Sequence, residues 1–191
     1  MVATMLSDKK AKPVAPIAAT LVGIVLVCLL WVLVSAKPNP SDNADSPLLG
    51  QPAPAVVTTT LEDKPFDLAR RKGSWVVFNF FNSTCVPCRA EHPQLLTFAQ
   101  NQLLTDNPAE MYTVINDDDD SAVLAFFAEY KGDWQKIRDN DGSIAVAFGV
   151  AKVPETWIID PNGYVRLRIA GQLSDGLLDE QLSILKVQFG S

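Results

Sequence analysis

The chain has 191 residues, 48% of them hydrophobic, and a formal net charge of −6 from 16 Lys/Arg and 22 Asp/Glu. That length holds one medium domain plus an extension, and the acid excess persists over residues 48–191, which argues against a nucleic-acid partner. Three cysteines and one histidine, His92, are present; because Cys28 lies inside an apolar run, four nitrogen or sulfur ligands cannot be assembled, so neither a zinc centre nor another cofactor is expected.

Residues 1–13 carry Lys9, Lys10 and Lys12 against Asp8, and Val14 to Val34 then runs without a charge. At ~1.5 Å per residue this run spans about 31 Å, the thickness of a bilayer's hydrocarbon core. The basic flank orients such a helix with its N-terminus in the cytoplasm and everything after residue 35 outside it. Val34-Ser-Ala36 would also suit a signal peptidase, but the run exceeds the roughly 7–15 residues of a signal peptide and favours an uncleaved anchor. Cys28 within it reads as a lipid-facing or packing residue. Residues 35–47, polar and proline-rich, read as a flexible linker that reaches about 43 Å when extended.

From Leu48 the composition turns globular, and residues 48–191 are expected to form one domain. Val56–Leu61 reads as a strand, Glu62-Asp-Lys-Pro65 as a turn and Phe66–Leu68 as a short strand, with Gly73 as a stop. Trp75-Val-Val-Phe-Asn-Phe-Phe81 is a buried strand ending at Asn82-Ser83-Thr84. Good helix formers follow from Arg89, with Pro93 expected to kink the helix.

Glu110–Ile115 is a second buried strand. Asn116 to Asp120 is an acidic turn without the spacing of a calcium loop, read instead as the solvated entry to a helix over Ser121–Lys131 that Gly132 stops. A strand over Trp134–Arg138 and a short helix over Ser143–Phe148 come next. Strands over Thr156–Ile159 and Tyr164–Ala170 flank the turn Asp160-Pro-Asn-Gly163. The last helix has Ser174 as its N-cap and buries Leu178, Leu182, Leu185 and Phe189. The order β-β-β-α-β-α-β-α-β-β-α predicts an α/β fold, a central mixed β-sheet with helices on both faces.

Cys85-Val-Pro-Cys88 sits where the buried strand hands over to a helix N-terminus. Unsatisfied N–H groups and the helix dipole stabilise an anion there, and the thiolate is the attacking species in disulfide exchange. Cys85 is therefore the candidate nucleophile. Cys88, one turn on, is placed to resolve a mixed disulfide. Pro87 falls in the first turn, where a missing N–H is tolerated. A structural disulfide is the plainer reading, but a loop this short stabilises by only ~2 kcal/mol.

These residues, with Asn79 and the run Cys88-Arg-Ala-Glu-His-Pro93, resemble the thioredoxin superfamily and within it the membrane-anchored ResA/TlpA/CcmG (DsbE) branch. Thr84 departs from the pattern, since most relatives carry Trp before the first cysteine. The resemblance implies a thioredoxin-like fold and a cis bond at Val153-Pro154 facing the cysteines. It implies a client such as apocytochrome c and a membrane electron donor of DsbD or CcdA type. It also makes Glu91 and Glu155 candidate acid/base residues, Glu91 because it lies one turn past Cys88; otherwise Glu155 reads as a solvated strand end. His92 reads as a partly buried helix histidine. Rival readings are an oxidase, isomerase or reductant for other exported clients, and a copper chaperone of the same fold, which would space its cysteines as CxxxC.

Overall fold

The computed structural model describes residues 22–31 and 44–190. The chain divides into two units, Met1–Asn39 and Pro40–Ser191. In the first, residues 22–31 are helical. Among the described residues no helix is long and apolar enough to cross a membrane; most of the expected anchor over 14–34 and of the linker over 35–47 lies outside them.

The second unit is built on one long apolar strand. β3 (Val76–Phe81) is buried at all six positions, which only a strand covered on both faces tolerates. It takes the centre of a five-stranded sheet of order β5-β4-β3-β6-β7, comprising β4 (Glu110–Asn116), β5 (Gln135–Asp139), β6 (Glu155–Ile159) and β7 (Val165–Ala170). β4 pairs parallel to β3 and β5 parallel to β4, whereas β6 is antiparallel to both β3 and β7. A separate hairpin joins β1 (Val57–Thr59) to β2 (Pro65–Asp67).

Period-2 alternation along β3 sorts the core into two layers. Val77 packs with Leu95 and Phe98 of α1 (Val86–Gln102) and with Leu178, Leu182 and Leu185 of α4 (Leu177–Phe189). Phe78 and Phe80 pack on the other face with Phe66, Trp157 and Phe148 of α3 (Ser143–Phe148). α2 (Asp120–Tyr130) sets Phe126 against Phe81 and Cys88. Helices thus cover both faces of a mixed sheet.

Several boundaries differ from those read in the sequence. Residues 68–71 form a short 3-10 helix whose first turn is capped by the Asp67 carboxylate accepting from Ala69 N–H (2.9 Å). Ser174 is not the cap of α4: Gly176 is, in a left-handed conformation (φ 73°) that only glycine adopts cheaply. Asp179 and Glu180 then supply the negative charge the helix start favours. α1 runs on through Pro93, which leaves the Arg89 carbonyl without its helical N–H partner. Ala44 and Asp45, expected in the linker, are tied to the domain: Ala44 N–H donates to Arg168 O (2.9 Å) and Arg168 Nη1 to Asp45 O (3.0 Å).

Candidate active site

β3 delivers the chain to a turn made rigid by side chains. Thr84 N–H and Oγ1 donate to Asn82 Oδ1 (2.9 and 2.6 Å), and Asn82 Nδ2 donates to the Asn116 and Asp117 carbonyls (3.1 and 2.6 Å). Ser83 N–H donates to Asp118 Oδ2 at 2.5 Å. The acidic turn is therefore more than a solvated helix entry: Asp118 steadies the loop before Cys85, and Asp120 pairs with Arg138 at 2.8 Å. Among the described residues no cluster of His, Cys, Asp or Glu is placed to hold a metal.

Cys85 is the N-cap of α1, and its Sγ accepts from Cys88 N–H at 3.2 Å. A backbone N–H aimed at this sulfur stabilises its anion, the local form of the helix-terminus effect. Pro87 occupies the first turn, where no donor is lost. The two cysteines form a disulfide with Cα atoms 5.3 Å apart. Their surroundings are unequal. Cys85 is half-buried between exposed Val86 and exposed Thr84, whereas Cys88 is fully buried against Phe81 and Phe126. The Val153–Pro154 bond is cis, and the Val153 carbonyl lies 3.7 Å from Cys85 Sγ.

Behind the cysteines lies a buried carboxyl. Glu91, one turn past Cys88, is 0% exposed. Its Oε1 accepts from Asn79 Nδ2 and its Oε2 from Leu173 N–H, both at 2.8 Å. Burial dominates those two bonds and pushes the carboxyl up to about 7. Asn79 Nδ2 also donates to Thr156 Oγ1 (3.1 Å), while Asn79 Oδ1 has no partner among the described residues. Rotating this amide by 180° would present Oδ1 to both groups, so Asn79 can serve Glu91 either as carboxylate or as acid.

His92 is more deeply buried than the sequence indicated, at 3% exposure. Its Nε2 donates to the Lys131 carbonyl (2.9 Å), and its ring packs on Phe126, Phe127 and Trp134. Burial lowers its pKa below the usual histidine value.

Glu155 is neither a solvated strand end nor a neighbour of Glu91. It is 2% exposed and pairs with Phe80 in register, whereas Asn79, which faces Glu91, pairs with Thr156. The two glutamates therefore lie on opposite faces of the sheet. Arg168 takes both Glu155 oxygens, Nε at 2.9 Å and Nη2 at 2.8 Å. Thr156, Leu173 and Arg168 were not singled out in the sequence. The only trace of Arg168 was the alternation Val-Arg-Leu-Arg-Ile over residues 165–169.

One accessible sulfur at a helix terminus, a second sealed beneath it and a carboxyl titrating near neutrality make a dithiol that can be oxidised and reduced in place. The class is that of thiol–disulfide oxidoreductases on a thioredoxin-like fold. Residues 48–183 match the Redoxin family model, and the chain belongs to that family. It is 30% identical to the thiol:disulfide interchange protein DsbE of Pseudomonas aeruginosa, over 87% of this chain and 90% of that one. It is 31% identical to the thiol-disulfide oxidoreductase ResA of Bacillus cereus, over 70% and 76%. A secreted Mycobacterium tuberculosis disulfide oxidoreductase superposes with a TM-score of 0.61 at 23% identity, over 68% of this chain and 96% of that one.

Proposed function

We propose that the protein is a membrane-tethered reductant of exported client proteins, with Cys85 as nucleophile and Cys88 as resolving thiol. The observation that carries this reading is the inequality of the two sulfurs: Cys85 is reachable at the N-cap of α1, and Cys88 is fully buried one turn from Glu91. The Cys85 thiolate attacks a client disulfide, forming a mixed disulfide and releasing one client thiolate. Cys88 then gives its proton to Glu91, attacks Cys85 Sγ and expels the second client thiolate. Two electrons pass to the client and the Cys85–Cys88 disulfide remains. The Val153 carbonyl beside Cys85 supplies an acceptor for the backbone of a bound cysteine peptide.

Likeness to DsbE and ResA proteins supports apocytochrome c as the client class and a membrane donor of DsbD or CcdA type to restore the dithiol. The uncharged run Val14–Val34 with its basic flank supports a single-pass anchor that places the domain on the extracytoplasmic side. Equilibration of the purified domain with glutathione tests the direction of electron flow. A reductant will show a potential near that of thioredoxin, about −270 mV; a value near the roughly −120 mV of DsbA would make the protein an oxidant.

A further inference from the structure

Glu155 begins β6 directly after Pro154, and its buried carboxylate has Arg168 as its partner through a two-pronged pair. The register explains the reach. Glu155 sits opposite Ala170 and Trp157 opposite Arg168, so Arg168 lies diagonally across from Glu155 on the same face of the sheet. Its guanidinium crosses Trp157 at 5.4 Å from the ring centre on the way. Arg168 also holds the chain entering the domain, donating to Asp45 O through Nη1 and accepting from Ala44 N–H through its own carbonyl. Pro154 O accepts from Gly171 N–H (2.9 Å), which ties the same corner to the end of β7.

We propose that Arg168 is a positioning residue for client binding: by holding Glu155 it fixes the Val153–Pro154 edge beside Cys85. The proposal rests on the reading that a client peptide pairs with that edge. The route is short. Arg168 grips Glu155, Glu155 adjoins Pro154, and the preceding carbonyl of Val153 lies 3.7 Å from Cys85 Sγ. Without the guanidinium, a carboxylate 2% exposed would be an uncompensated charge, and the start of β6 would shift to let it reach water. Arg168 touches neither cysteine in this scheme. A shifted edge weakens the grip on a peptide backbone and leaves the sulfur chemistry alone.

The test uses two probes with the full chain: an oxidised Cys-x-x-Cys peptide, and hydroxyethyl disulfide, which has no peptide backbone. Arg168→Gln will raise KM for the peptide by ~10-fold with kcat nearly unchanged and will reduce hydroxyethyl disulfide at the normal rate, and Glu155→Gln will raise the peptide KM likewise. Arg168→Lys, which keeps the charge but loses the fork, will fall between. Joining both glutamine substitutions, so that two amides can re-pair, will restore part of the loss. Variants that keep small-disulfide activity with an unchanged peptide KM would overturn the proposal alone, as would equal losses on both probes. Failure of the unmodified protein to prefer the peptide would instead overturn the edge-pairing reading on which it rests.

Discussion

Replacing Cys88 with serine will turn the enzyme into a covalent trap. Cys85 still attacks a client disulfide, because its N-cap position and the N–H of residue 88 are backbone features that survive the change. The serine hydroxyl cannot resolve the product, and uncatalysed disulfide rearrangement takes minutes to hours. The mixed disulfide will therefore accumulate and appear on non-reducing gels as a higher-mass band that dithiothreitol removes. In a Cys28→Ser background, Cys85→Ser will give neither the band nor turnover, since the one thiol left, Cys88, is fully buried against Phe81 and Phe126. If Cys85→Ser traps clients and Cys88→Ser does not, the two roles are reversed.

Glu91→Gln will slow resolution and remove its dependence on pH near neutrality. The wild-type carboxyl, pushed up to about 7 by burial, is a proton acceptor only in its ionised form, so resolution speeds up as pH rises through that value. A general base of this kind contributes about 10²–10⁴-fold. Release of client from the mixed disulfide, followed by stopped-flow from pH 5.5 to 8.5, will show an inflection near 7 in the wild type and none in the variant. An unchanged profile would remove Glu91 from the reaction.

The same carboxyl predicts a stability effect of definite sign. Its folded pKa lies above the ordinary 4.5, so the folded protein holds the proton more tightly than the unfolded chain. That contribution is complete below about pH 4.5 and is lost as pH rises through about 7, a span worth ~3 kcal/mol. Denaturant midpoints will accordingly fall less between pH 5 and pH 8 in Glu91→Gln than in the wild type.

Much of the site was legible because its signals are local. Cys85, Pro87 and Cys88 share one helical turn, the apolar run over 75–81 announces a buried strand, and Glu91 follows Cys88 at a spacing that puts both on one helix face. What was not legible comes from pairing across the sheet. Whether Glu155 is solvated or buried depends on Arg168, thirteen residues later, and that contact exists only once β6 and β7 are in register. Thr156 and Leu173, which complete the surroundings of Asn79 and Glu91, are silent in sequence for the same reason. The misplaced start of α4 has a different cause. Ser174 has the better capping side chain, but the chain needs a left-handed residue before Leu177, and Gly176 supplies it.

The central claim is that one sulfur is a reachable anion and the other is sealed. Brief alkylation of the reduced protein with iodoacetamide across a pH series, with each site read by mass spectrometry, tests it most directly. The account predicts modification at Cys85 with an apparent pKa well below the ordinary ~8.5 of a free cysteine, and protection of Cys88 until the protein is unfolded. Equal labelling of both sulfurs, or a Cys85 that reacts only as an ordinary thiol, would contradict it.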